Sequence, residues 1–261
     1  MLRREFFCGL AGLAVCSAIG RNFRLIAHRG GLVEADRPEN SARAIAGAIE
    51  HGYWMIEVDV RRSKDGEPVL HHDGTLQKIY QDPRRPEDLT WAELKTLRAS
   101  AGGGHPVHFE ELCAMCSGKM RLMLDLKASD WPKEFYQRLV KYMDSAKIPG
   151  PIYSLGGARV KPLFDDRVMV SANSKELRTY IDQGHAVAKD YFLFELGSNL
   201  DAPTVALCRD TEVVPVAAIN TFRYTMAKRD GTTGPAEDVK KLREMGVVDY
   251  QVDSRYEGLF G

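Results

Sequence analysis

Glu57 and Asp59 stand two apart inside an otherwise apolar run, Met55-Ile56-Glu57-Val58-Asp59-Val60. On a β-strand that spacing points both carboxylates to one face. Two anions on a buried face repel and are poorly solvated, so either one takes up a proton or a cation neutralises them. A hard divalent ion with oxygen ligands, Mg²⁺ or Ca²⁺, is the economical neutraliser, with Asp125 of Leu124-Asp125-Leu126-Lys127 as the third carboxylate. The alternative is a half-exposed strand on which both acids are solvated, because polar and apolar residues alternate on any such strand.

Two histidines stand near these acids. One closes a strand-like run in Ala27-His28-Arg29-Gly30-Gly31; the other lies in His71-His72-Asp73. If Asp65-Gly66 is a two-residue hairpin loop, Lys64 faces Glu67 and counting outward sets Asp59 opposite His72. If the segment is instead a short loop before a parallel strand, His72 still reaches the same rim. A lone histidine is more often structural than catalytic. Two at strand ends beside a cation are suited to general acid and base work, because imidazole titrates near neutral pH. Arg29 and Lys127 add positive charge, and the whole set suits a phosphate ester.

These residues need a scaffold that brings strand ends together. The chain has 261 residues, enough for one α/β barrel. Apolar strand-like runs alternate with helical stretches: Phe23–Ala27, Met55–Val60, Pro68–His71, Met120–Leu126, Pro151–Leu155, Val168–Ala172, Tyr191–Leu196, Val213–Ile219 and Val247–Val252 read as strands. Ser41–His51, Thr90–Ala99, Glu110–Ser117, Lys133–Ala146, Lys175–Gln183, Ala202–Asp210 and Ala236–Met245 read as helices, with a capping box at Thr90-Trp91-Ala92-Glu93. Nine runs compete for eight barrel positions, so one is a hairpin arm or an extra strand. The expected fold is a TIM-type (β/α)8 barrel, distorted around strands two and three, with its polar residues at the C-terminal strand ends. No repeat or linker divides the chain, and residues 21–261 are expected to form one domain.

Thirty-six basic residues balance thirty-six acidic ones, which gives no general attraction for nucleic acid. Of the five cysteines, Cys8 and Cys16 lie near the N-terminus, and Cys113, Cys116 and Cys208 are too few for a disulfide framework. Cys113 and Cys116 have redox or zinc spacing, but no second pair follows, and on a helix they share one buried face.

The first twenty residues have the layout of an export signal. Arg3-Arg4-Glu5-Phe6-Phe7 resembles the twin-arginine motif, and an apolar stretch too short to span a bilayer ends in Ala18-Ile19-Gly20. A periplasmic or extracellular location follows from that reading; a retained N-terminal helix and a cytoplasmic location are the alternative. Removal of residues 1–20 would leave 34 basic against 35 acidic residues.

In order along the chain, Ala27-His28-Arg29-Gly30-Gly31, Pro38-Glu39-Asn40-Ser41, Ile56-Glu57-Val58-Asp59-Val60, Lys64-Asp65-Gly66, Val69-Leu70-His71-His72-Asp73 and Leu124-Asp125-Leu126-Lys127 resemble the signature of the glycerophosphodiester phosphodiesterase family. The resemblance implies a TIM barrel in which His28 and His72 act as general base and acid, and Glu57, Asp59 and Asp125 bind one divalent cation. Arg29 and Lys127 then hold phosphate, and a glycerophosphodiester is cleaved to glycerol 3-phosphate and an alcohol. His72, not His71, matches the family's His-Asp pair. Asp125 followed two residues on by Lys127 also resembles the sphingomyelinase D type phospholipases, which implies a lyase that cleaves intact lipids to cyclic phosphates; the expected substrate is a small phosphodiester or a lysolipid. A non-catalytic barrel that binds a phosphorylated ligand is the third reading. In each case the partner is a small phosphate-bearing molecule.

Overall fold

The computed structural model describes residues 23–128 and 130–261, so the export-signal reading of residues 1–20 lies outside the described residues. Nine strands form one sheet: β1 (Arg24–Ala27), β2 (Met55–Arg62), β3 (Pro68–Leu70), β4 (Arg121–Leu126), β5 (Tyr153–Ser154), β6 (Met169–Ala172), β7 (Tyr191–Leu196), β8 (Pro215–Ile219) and β9 (Asp249–Val252). The helices are α1 (Ala42–Glu50), α2 (Gln77–Tyr80), α3 (Trp91–Leu94), α4 (Phe109–Cys116), α5 (Lys133–Ser145), α6 (Ser174–Asp182), α7 (Val187–Asp190), α8 (Ala202–Asp210), α9 (Thr221–Met226) and α10 (Gly234–Glu244).

Eight strands run parallel in the order β1-β9-β8-β7-β6-β5-β4-β2, and the β1–β2 pairing closes them into a TIM-type barrel. The ninth is β3, which runs antiparallel to β2. β2 carries β4 along one edge, while its other edge holds β1 at Met55 and Ile56 and then β3 from Val60 to Arg62. β3 therefore continues the wall where β1 stops, which carries His71, His72 and Asp73 to the mouth above His28.

The hairpin differs from a two-residue loop by one residue. Gly66 adopts a left-handed φ of 88°, and the Ser63 amide donates to the Glu67 carbonyl at 2.8 Å, leaving Lys64, Asp65 and Gly66 as the loop. The ladder thereby shifts: the His71 amide, not that of His72, donates to the Asp59 carbonyl at 2.9 Å.

The side-chain alternation of the strands explains both core and site. Inward-facing Ile26, Met55, Met123, Tyr153, Phe192 and Val216 fill the barrel, with Tyr153 and Phe192 stacked at 4.2 Å. Two residues further along their strands, the same face presents His28, Glu57 and Asp125. The opposite faces pack on the helices in a larger cluster that includes Ile56, Val58, Leu124, Leu193 and Ile219.

Helix ends follow local chemistry. Ser41 caps α1 by accepting from the Ala44 amide, and the Thr90–Glu93 capping box forms at α3. That helix stops at Leu94, well short of Ala99, whose amide pairs instead with the Gly104 carbonyl. Cys113 and Cys116 lie buried on α4, and burial pushes the Cys116 thiol up to about 12, which suits packing rather than redox chemistry.

Candidate active site

Glu57, Asp59 and Asp125 converge at the C-terminal mouth of the barrel. Asp59 and Asp125 are register partners across β2 and β4, and Glu57 lies on the same face as Asp59. One carboxylate oxygen from each lies within 4.8 Å of the other two. Oxygen-to-metal bonds of about 2.0 to 2.6 Å keep two ligands of one ion within roughly 4 to 5 Å of each other, so the spacing fits Mg²⁺ or Ca²⁺. The carboxylates differ in their electrostatics. Burial, reinforced by Asp59 and Asp125, raises the Glu57 carboxyl well above the usual carboxylate range. Burial alone would also raise Asp59, but Lys127, His72 and Asn40 hold it below its ordinary value.

The ammonium of Lys127 lies 2.6 Å from Asp59 and 2.7 Å from Asp125. Its position follows from β4, since the Lys127 amide extends the ladder by donating to the Val60 carbonyl. Asn40 fixes Asp59 from the other side: its Nδ2 donates to Asp59 Oδ2 at 2.7 Å, and its Oδ1 accepts from the Asp59 amide at 3.1 Å.

Arg29 has a left-handed φ of 53°, uncommon for a residue with a side chain. The bend turns its amide onto Glu57 Oε2 at 2.7 Å, while its carbonyl accepts from the Asn40 amide at 2.8 Å. The glycines that follow make this close approach possible. A Cβ on Gly30 would sit 2.6 Å from Asn40 Cα, and one on Gly31 only 2.2 Å from the Ala44 carbonyl oxygen. The Arg29 guanidinium pairs with Glu39 at 2.8 Å, while its Nε is buried with no hydrogen-bond partner.

Both histidines are oriented through Nδ1 by an aspartate. His28 Nδ1 lies 2.6 Å from Asp253 Oδ1, and His72 Nδ1 lies 2.8 Å from Asp73 Oδ1. A ring nitrogen facing a carboxylate carries the hydrogen, which leaves Nε2 of the neutral ring as proton acceptor. His28 Nε2 is 3.9 Å from Glu57 Oε2. His71 is buried, its Nε2 bonds the Thr75 carbonyl at 2.8 Å, and burial lowers its pKa; it is a structural residue.

The structure thus gathers His28, Arg29, Glu57, Asp59, Asp125 and Lys127 at one mouth and sets His72 close enough to act electrostatically on Asp59. It adds residues that the sequence reading did not assign to the site. Asp253 follows β9 directly and is held by the Thr221 amide and hydroxyl, each at 2.7 Å. Glu39 joins Arg29 and Lys78, and with His72 and Asp73 it forms a second close acidic set that is internally compensated.

Residues 28–142 match the Glycerophosphoryl diester phosphodiesterase family. The match covers somewhat less than half of the chain. The chain is 40% identical over 76 residues to glycerophosphodiester phosphodiesterase 1 of Rattus norvegicus, a stretch that covers 29% of this chain and 22% of the rat protein. A glycerophosphodiester phosphodiesterase of Caldanaerobacter subterraneus is 39% identical over 75 residues, 29% of this chain and 30% of the relative. The matched stretch therefore spans well under half the length of these curated relatives. The fold extends much further. A glycerophosphoryl diester phosphodiesterase from Parabacteroides distasonis superposes with a TM-score of 0.70 at 21% identity, over 92% of this chain and 87% of that one. An Oleispira antarctica phosphodiesterase, solved with the product sn-glycerol-3-phosphate, gives 0.67 at 21% identity, over 90% and 96%.

Proposed function

We propose that this protein is a member of that family and a metal-dependent phosphodiesterase that cleaves glycerophosphodiesters to glycerol 3-phosphate and an alcohol. The observation that carries the reading is the convergence of three carboxylates beside two histidines, each oriented through Nδ1 by its own aspartate. Glu57, Asp59 and Asp125 would hold one divalent cation, whose charge would stabilise the extra negative charge that phosphorus gains in the transition state. His28 and His72 serve as general base and acid: one takes a proton at Nε2 from the attacking hydroxyl or water, the other returns one to the leaving alcohol. The unpartnered Nε of Arg29 and the ammonium of Lys127 bind phosphate oxygens. The glycerol 3-phosphate bound by the Oleispira antarctica relative supports this choice of product.

The test is hydrolysis of glycerophosphocholine and glycerophosphoethanolamine followed by phosphorus NMR, with Mg²⁺ or Ca²⁺ and with EDTA. Release of glycerol 3-phosphate that EDTA stops and that His28→Ala and His72→Ala abolish is the expected result. Near-normal rates in either variant, or in EDTA, would reject the assignment. A cyclic phosphodiester accumulating instead would make the enzyme a lyase.

A further inference from the structure

Arg61 reaches the loop that carries His72. β2 runs on past the residues it pairs with β1, and the two-residue step that turns Glu57 and Asp59 toward the mouth turns Arg61 the same way. With 12% of its side chain exposed, Arg61 is held as a fork. Nη2 donates to the His72 carbonyl at 3.0 Å, and Nη1 donates to Glu87 Oε1 at 3.0 Å.

Little else holds the His72 loop. The last ladder bond of the hairpin arm is made by the His71 amide, and among the described residues the backbone of 72–75 makes no hydrogen bond to other backbone. Two side chains hold it instead: Arg61 at the His72 carbonyl and His71 Nε2 at the Thr75 carbonyl. Asp73 orients the His72 ring, but as the next residue it moves with the loop and does not fix the loop over the carboxylates. Arg61 does, because it shares a strand with Asp59. Its partner is fixed as well. Glu87 lies on the short turn Pro86–Asp88, which is stitched to the arm by the Lys64 amide on the Leu89 carbonyl at 2.8 Å and the Trp91 amide on Asp65 at 2.9 Å.

We propose that Arg61, held by Glu87, is a positioning residue that sets the His72 imidazole against the three carboxylates by gripping the His72 carbonyl. The inference rests on the phosphodiesterase reading above and adds two residues outside its acid, base and metal set. A planar guanidinium satisfies both acceptors at once and leaves the loop little freedom. Misplacing a catalytic group by about 1 Å costs about 100-fold in rate, and losing an orienting partner costs about 10- to 100-fold.

The experiment compares Arg61→Gln, Glu87→Gln and Arg138→Gln with the parent chain in steady-state hydrolysis of glycerophosphocholine, with NMR of isotope-labelled histidines in each. Arg61→Gln should lower kcat about 10- to 100-fold and leave KM within about threefold. It should also broaden or double the His72 ring signals, assigned with His72→Ala, and leave those of His28 in place. Arg85, 3.5 Å from the second Glu87 oxygen, still neutralises that carboxylate. Glu87→Gln weakens the grip on Arg61 without removing it, should cost about three- to tenfold in kcat, and decides the matter if Arg61→Gln does not fold. Arg138 holds the tip of the same arm from α5, at Gly66 and Glu67, and its variant should keep the parent kcat. A kcat within about twofold of the parent's in Arg61→Gln and Glu87→Gln, unchanged His72 signals, or an equal loss in Arg138→Gln overturns the inference. An active parent with an unaffected Arg61→Gln removes only the inference; a parent that cleaves no glycerophosphodiester removes the phosphodiesterase reading and the inference with it.

Discussion

Asp253→Asn separates the hydrogen-bonding role of Asp253 from its volume. One carboxylate oxygen faces His28 Nδ1 at 2.6 Å, and the other accepts from the Thr221 amide and hydroxyl at 2.7 Å. An amide has only one oxygen, so one of these partners must meet an NH₂ group. If the NH₂ faces the Thr221 amide, two donors oppose each other, at a cost of about 1–3 kcal/mol. The favoured arrangement instead turns the NH₂ toward His28 and forces the imidazole hydrogen onto Nε2, the nitrogen proposed above to take up the proton. That preference corresponds to about 5- to 150-fold in tautomer population. kcat/KM on glycerophosphocholine should therefore fall roughly 10- to 100-fold, in line with the loss of a residue that orients a functional group. The assay is initial-rate kinetics with the melting temperature measured in parallel, since a folded but slow enzyme is the diagnostic result. A kcat/KM within twofold of the parent enzyme would refute the role given to the His28–Asp253 pair.

Mg²⁺ or Ca²⁺ at about 100 times its dissociation constant should stabilise the fold by about 3 kcal/mol. At this chain length that is a rise of roughly 5–10 °C in melting temperature, which Glu57→Gln should largely remove in a thermal shift assay. Gly31→Ala places a Cβ 2.2 Å from the Ala44 carbonyl oxygen at φ 131°, and should cost about 3 kcal/mol or more in denaturant unfolding. Gly52→Ala at φ 70° meets nothing within 4 Å and should cost only about 1 kcal/mol in the same experiment. Tyr224→Phe removes a buried hydroxyl that donates to Asp238 at 2.6 Å, and should cost about 1.5–3 kcal/mol of stability, because the acceptor is a buried carboxylate that also pairs with Arg229. The Asp253 carboxyl is held below its ordinary value by the hydrogen bonds from His28 and Thr221, which outweigh burial. Its contribution to stability is thus present above about pH 4 and lost as pH falls through the lower folded value, so Asp253→Asn should flatten the acid limb of a melting temperature against pH curve.

Much of the site could be read from the sequence because its residues sit on strands whose alternation is itself written in the sequence. Ile26 and His28, Met55, Glu57 and Asp59, and Met123 and Asp125 each keep the two-residue step that first fills the barrel and then arms its mouth. Helix caps such as Thr90–Glu93 were equally legible, since they depend on residues three apart. The Gly30–Gly31 pair also lies in plain view, although its reason, the approach of Asn40 and Ala44, does not.

What the order of residues left open was decided by contacts distant in the chain. The hairpin register turned on whether Gly66 took the left-handed conformation inside a three-residue loop, a choice that moves Asp59 from facing His72 to facing His71. The surplus ninth run became an antiparallel arm because β2 outlasts β1 and its bare edge needs a partner. The pairing of His28 with Asp253 spans 225 positions, and Lys127 meets Asp59 only because β2 and β4 lie side by side. α9, with its exposed Phe222 and Met226, carries too short a periodic signal to stand out. Sequence alone fixed which groups could do chemistry and which strand face each would occupy, because both are local properties of the chain. Only barrel closure decided which of them meet, because each pairing is a contact between strands whose distance in space has no counterpart in their distance along the chain.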